Sequence, residues 1–180
     1  MFRADRRGFT LIELLVVIAI IGVLSSVVLS SVRSASTKSA VTRAKAEMKS
    51  FVQAVIVAQG ESGKTLLKLS QDGGAGTPQC SQCACTAGTD LRNIASSNAC
   101  YTNWAAILTG VQMNSNGLVT NLTAMNRDPW GSPYLVDQNQ GEAGNCTAYD
   151  SLRSVGPDGT LGTSDDIAWT AGMPLSATCP

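Results

Sequence analysis

Arg7-Gly8-Phe9-Thr10-Leu11-Ile12-Glu13-Leu14-Leu15-Val16-Val17-Ile18-Ala19-Ile20-Ile21-Gly22-Val23-Leu24 changes character at one position, charged before Gly8 and apolar after it. Residues 1–8, Met-Phe-Arg-Ala-Asp-Arg-Arg-Gly, hold three Arg and one Asp, whereas Phe9 to Leu29 carries a single charge, Glu13. A helix over that run spans about 31 Å at a rise of about 1.5 Å per residue, enough for the hydrocarbon core of a bilayer. Arg3, Arg6 and Arg7 lie before the run, where positive charge stays on the cytoplasmic side. The expected topology is a single pass of the cytoplasmic membrane, N-in and C-out.

Glu13 distinguishes this run from two simpler ones. A secretory signal has a shorter apolar stretch that ends in small residues; here the stretch is longer and its polar interruption comes near the start. A permanent anchor has no use for a carboxylate that costs a few kcal/mol in lipid unless something pairs with it. Glu13 therefore implies a partner.

Composition narrows the function. The 180 residues suit one modest domain. With no His, serine and cysteine hydrolase triads, imidazole bases and His-containing metal sites are excluded. No Gly-x-Ser-x-Gly nucleophile motif is present either, so the expectation is a protein that is not an enzyme and takes no organic cofactor. Thirteen Lys+Arg balance 13 Asp+Glu, which gives no electrostatic footprint for nucleic acid.

Quoted in full, Arg7 to Leu24 resembles the N-terminal segment of type IV prepilins and of the pseudopilins of type II secretion: Gly at the leader end, Phe after it, and Glu five residues past the Gly. The resemblance implies cutting between Gly8 and Phe9 by prepilin peptidase, with N-methyl-Phe9 as the mature N-terminus. Removing Arg3, Arg6, Arg7 and Asp5 from the 13 charges of each sign would leave 10 basic and 12 acidic side chains. Glu13 would then neutralise the Phe9 amine of an adjacent copy, since a buried charge is tolerated when paired. A cytoplasmic ATPase and an inner-membrane assembly platform are implied in the same way.

Beyond Leu29 no Pro appears before Pro78, and Val41, Ala44, Met48, Phe51, Val52 and Val55 recur at helical spacing. One helix of about 50 residues is expected, ending near Gly60. Ser30 and Ser31 stand where many type IV pilins carry a helix-bending Pro; with Ser25 and Ser26 they soften the stretch, and some local unwinding on assembly is expected. From Gly60 to Asn126 the chain is rich in Gly, Ser, Asn and Cys, with Gln71 to Pro78 reading as a loop and Tyr101 to Leu108 as a short helix. After Asp128, Tyr134-Leu135-Val136, Leu152-Arg153-Ser154-Val155 and Ile167-Ala168-Trp169 read as short antiparallel strands. The fold class is α+β, a pilin-like lollipop in which a long N-terminal helix packs on a small antiparallel sheet with Cys-rich loops. Its expected segments are a leader (1–8), a transmembrane and assembly half-helix (9–29), an amphipathic half (30–60), a Cys-rich region (61–126) and a small sheet with a calcium-type loop (127–180).

Cys80, Cys83, Cys85, Cys100, Cys146 and Cys179 all follow the membrane run. An even count on the non-cytoplasmic side favours disulfides. Six cysteines allow about 15 pairings; the preferred one joins Cys146 to Cys179 and places the other two bridges within residues 80–100. A four-thiolate zinc site from Cys80, Cys83, Cys85 and Cys100 is the alternative.

Ser154 to Ile167 gathers three carboxylates, Asp158, Asp165 and Asp166, among Gly156, Gly159 and Gly162. Asp-Gly alone reads as a turn. Together with Asp128-Pro129-Trp130-Gly131-Ser132-Pro133-Tyr134, the segment resembles the C-terminal region of the major pseudopilin of type II secretion, where Ca²⁺ holds the last loop. The resemblance implies Asp158 and one or both of Asp165 and Asp166 as ligands with the Val155 carbonyl; Thr160 and Ser164 are added oxygen candidates. Asn121-Leu122-Thr123 and Asn145-Cys146-Thr147 also match the N-glycosylation acceptor pattern.

The favoured function is a structural subunit of a type IV filament, a major type IV pilin that polymerises with copies of itself into a cell-surface fibre. The alternative is a major pseudopilin of type II secretion in a periplasmic filament, and a minor tip adhesin stands behind both.

Overall fold

A computed structural model describes residues 8–74, 84–138, 149–169 and 173. It contains α1 (Leu11–Ser62), α2 (Leu66–Asp72), α3 (Ala99–Met113), a 3₁₀ turn (Leu122–Met125), β1 (Leu135–Asp137), β2 (Ser151–Ser154) and β3 (Ile167–Ala168). The chain divides into two compact units, Met1–Ser39 and Ala40–Pro180.

In the first unit, every described residue from Gly8 to Ser39 whose side chain is placed is exposed. The helix forms because its residues tolerate helical backbone, with no Pro to interrupt the ladder. Ser26 bonds back to the helix instead of breaking it: its Oγ donates to the Val23 carbonyl at 2.7 Å.

In the second unit α1 buries one stripe, Ala44, Met48, Phe51, Val52, Val55 and Ala58, at the three- and four-residue spacing of one helix face. This stripe meets Trp104, Ile107, Leu108 and Val111 of α3, and Tyr134, Val136 and Leu152 from the sheet side. Phe51 and Trp104 rings lie 4.9 Å apart and Trp104 and Tyr134 5.5 Å apart, both tilted, a favoured aromatic geometry. Each polar tip in this stack is satisfied. Trp104 Nε1 donates to the Met125 carbonyl at 2.8 Å, and the Tyr134 hydroxyl donates to Glu47 Oε2 at 2.6 Å.

The segment from Gly60 to Asn126 holds more regular structure than the one short helix read there. Thr65 caps α2, its hydroxyl accepting from Lys68 N at 3.3 Å, and Leu66, Leu67 and Leu69 bury behind it. Gln71 and Asp72 therefore end a helix; they do not begin a loop. Asn98 caps α3, accepting from Cys100 N at 2.9 Å, and α3 runs past Leu108 to Met113. Helices α2 and α3 cross at two glycines. A Cβ at Gly110 would lie 1.8 Å from the Leu69 carbonyl oxygen, and one at Gly73 1.9 Å from that of Ala106. Tertiary contact, invisible in local propensity, extends both helices.

The sheet is antiparallel in the order β1-β2-β3. Val136 faces Leu152, and Ser154 faces Ile167. The three strands lie within one residue of the runs read from the sequence.

Candidate functional site

The N-terminal segment begins with Phe9, which is 83% exposed. Thr10 N and Thr10 Oγ1 each donate to Glu13 Oε2 at 2.9 Å, and Glu13 N donates to Thr10 Oγ1 at 3.3 Å. This is a capping box, in which the first turn satisfies its own backbone donors. Glu13 thus has a partner inside its own chain, and Thr10-x-x-Glu13 was the sequence signal for it. Sixteen large apolar side chains between Phe9 and Val32 are exposed. At about 1.5–3 kcal/mol each, leaving them in water costs tens of kcal/mol, more than the roughly 5–15 kcal/mol that holds a domain together. The helix needs lipid or other helices around it.

The acidic loop belongs to the second unit. Asp165 Oδ2 accepts from Asp158 N at 3.0 Å and Asp165 Oδ1 from Thr163 Oγ1 at 2.6 Å. Asp158 Oδ1 accepts from Thr160 N at 2.7 Å, and Asp166 Oδ2 from Gly162 N at 3.0 Å. The Thr163 hydroxyl, followed by the Asp158 amide, holds the Asp165 carboxyl below its ordinary range. Arg153 approaches Asp166 at 3.5 Å. Gly156, Gly159 and Gly162 all have positive φ, which lets the chain fold back on itself; a Cβ at Gly156 would lie 2.3 Å from the Asp165 backbone oxygen. Asp166 Oδ1 is buried with no hydrogen-bond partner. Among the described residues, no three acidic or thiolate side chains converge on one point, so an ion here would also draw on backbone and hydroxyl oxygens. Val155 is fully buried beneath the loop.

Two neighbouring features escaped the sequence reading. Asp128, 4% exposed, accepts from Trp130 N at 3.0 Å, Ser132 N at 2.9 Å and Ser154 Oγ at 2.6 Å. It ties the Asp-Pro-Trp-Gly turn to β2, and burial pushes its carboxyl above the ordinary range despite those donors. Asp90 and Arg92 form an ion pair at 2.6 Å that lies against the acidic loop. Arg92 holds the Asp90 carboxyl down to about 2.

Cys85 and Cys100 form a disulfide, within the 80–100 cluster where bridges were expected. That bond removes two of the four thiolates required by the zinc alternative, which is thereby corrected. Cys80, Cys83, Cys146, Cys179 and the Asn145 acceptor lie outside the described residues, as do residues 1–7 of the expected leader. Asn121 is exposed.

Gly8 followed by Phe9, a carboxylate in the first turn and an unburied apolar helix define a class, proteins with a prepilin-type N-terminal segment. The Prokaryotic N-terminal methylation motif matches residues 3–29. Over 162 residues the chain is 34% identical to type II secretion system core protein G of Escherichia coli (strain K12), covering 90% of this chain and 89% of the relative. It is 29% identical over 165 residues to the protein of the same name from Pectobacterium carotovorum subsp. carotovorum, covering 90% and 83%. This chain belongs to the family of type II secretion system core protein G. No solved structure matches it significantly. The preference for a pilus subunit over a pseudopilin is therefore reversed: the shared N-terminal segment does not separate the two, whereas similarity to core protein G along 90% of the chain favours the pseudopilin.

Proposed function

We propose that this chain is the major pseudopilin of a type II secretion system, a structural subunit that performs no chemistry. Residues 1–8 are its leader, removed between Gly8 and Phe9 by prepilin peptidase, which then methylates the Phe9 amine. Phe9 to Leu29 stores the subunit in the cytoplasmic membrane with the second unit on the periplasmic side. The subunit then leaves lipid by packing the same helix against copies of itself in a periplasmic filament, driven by the assembly platform and its ATPase. The observation that carries this reading is the unburied apolar start of α1, on a chain similar to core protein G along 90% of its length.

Glu13 serves two states on this reading. Its capping box closes the first turn of a single subunit, and its charge answers the Phe9 amine of a neighbour once filaments form. Deleting the gene should abolish release of exoproteins, and the wild-type copy should restore it. Glu13→Ala or Glu13→Val should insert in the membrane yet give few or defective filaments and no rescue. Normal export without the gene, together with long surface fibres at native expression, would return the protein to the pilus class.

The acidic loop supports a Ca²⁺ site. Asp158, Asp165 and Asp166 with the Val155 carbonyl and Thr160 would hold the ion, and the buried, unpartnered Asp166 Oδ1 is the observation that fits one. Bound there, the ion would supply positive charge that neutralises the crowded carboxylates. Chelation should lower the melting temperature of the full chain, and an unchanged melt with and without Ca²⁺ would refute the site.

A further inference from the structure

We propose that Arg92, backed by the Cys85–Cys100 disulfide, is the positioning residue of the acidic loop, holding residues 157–160 in their closed shape before any cation arrives. The inference rests on the geometry of the loop and its neighbour, and stands whether or not Ca²⁺ binds.

Three contacts join the two segments. Arg92 Nη1 donates to the Pro157 carbonyl at 2.9 Å, Leu91 N donates to the Gly159 carbonyl at 2.8 Å, and Asp90 forms an isolated antiparallel bridge with Thr160. The guanidinium is itself fixed. Its Nε donates to Asp90 Oδ1 at 2.9 Å and its Nη2 to Oδ2 at 2.6 Å, while Asp90 Oδ1 also accepts from Arg92 N at 2.9 Å. Nη1 is the corner of the planar fork turned to the loop. The approach is close enough to require glycine opposite: a Cβ at Gly159 would lie 2.4 Å from Asp90 Oδ1 and 2.6 Å from Arg92 Cγ. Below this contact Cys85, Leu91, Cys100, Leu135 and Val155 are buried together, with Leu161 packed against them. The disulfide fastens the start of the Arg92 segment to the first turn of α3.

An exposed ion pair contributes little to global stability. The effect of Arg92 is therefore local, which separates positioning from general stabilisation. Amide exchange of the full chain in detergent, with EGTA present, reads it directly. Arg92→Gln should speed exchange at Leu91, Asp158 and Thr160 by about tenfold, leaving Val55 and Ile107 in the main core unchanged. Arg92→Lys keeps the charge but not the fork and should not restore protection. The paired substitutions Cys85→Ala and Cys100→Ala should open the same amides. Loop exchange equal to wild type in Arg92→Gln overturns the proposal, and so does a rise matched at Val55 and Ile107. If the cysteine variant does not fold, Arg92→Gln decides alone. Adding CaCl₂ to the wild type gives a separate arm: no slowing of loop exchange removes the calcium reading and leaves the Arg92 result untouched.

Discussion

Two carboxylates show how residue type and surroundings divide the work. Glu13 lies in an apolar run and is answered locally by Thr10, both of whose donors reach Oε2. Thr10→Val removes the hydroxyl side of that box and should cost about 1 kcal/mol of helix-end stability, seen as faster amide exchange at Leu11 to Glu13 with membrane insertion intact. Asp128 is answered from three directions, by two amides of its own turn and by Ser154 of β2. Asp128→Ala strands those donors in a buried site and should cost about 3 kcal/mol or more, measured by denaturant unfolding. Asp128→Asn keeps an acceptor for the two amides and sheds the charge that burial disfavours, so its loss should be under about 1.5 kcal/mol. Glu13 was legible in the sequence because a charge in a greasy run is conspicuous. Asp128 was read only as part of a resemblance, because nothing in Asp-Pro-Trp-Gly reveals that Ser154 will close over it.

At the level of elements, the long helix and the strand runs were readable to within a residue or two, whereas α2 and the full length of α3 were not. Thr65 and Asn98 are ordinary capping residues, yet α2 has only seven residues, too few to be stable alone. It persists because Gly73 and Gly110 let it approach α3 to backbone contact. Gly110→Ala would drive a methyl group into the Leu69 carbonyl and should cost about 3 kcal/mol, toward the upper end for overpacking. A control at Gly60, where a Cβ meets nothing within 4 Å, should be neutral or mildly stabilising, as expected for Ala over Gly in a helix. Thermal unfolding of the two variants side by side checks both statements. The disulfide is also an element-scale device, since it closes a span of 15 residues. A loop of that size corresponds to about 3 kcal/mol in the chain-entropy account.

For the whole molecule, acid stability follows from the signs of the carboxyl shifts. Asp90 sits at about 2 against an ordinary value of 3.8, and Asp72 and Asp165 are likewise held low by Lys64 and by Thr163. Folded-state values below the unfolded ones mean that these groups stabilise the fold above about pH 4 and lose that contribution as pH falls towards about 2. Asp128 acts in the opposite sense: its ionised form carries a burial cost, which shrinks as pH falls through its raised value. The melting temperature should therefore begin to fall below about pH 4, only slightly per group because these carboxylates are largely exposed and screened, and Asp90→Asn should reduce that small fall. A drop of the same size in Asp90→Asn would show that the Arg92 pair contributes nothing to acid stability.

The sequence by itself determined that one helix would start apolar on every side and continue with a single buried face, because hydrophobic period and the absence of Pro are local properties. It also determined the prepilin-type segment and the approximate strands. Only the tertiary structure decided that α2 exists, that Cys85 meets Cys100, that Asp128 is buried and that Arg92 reaches across to Pro157. Each of those depends on residues far apart along the chain, whose approach is set by how the core of the second unit closes and leaves no mark on local pattern.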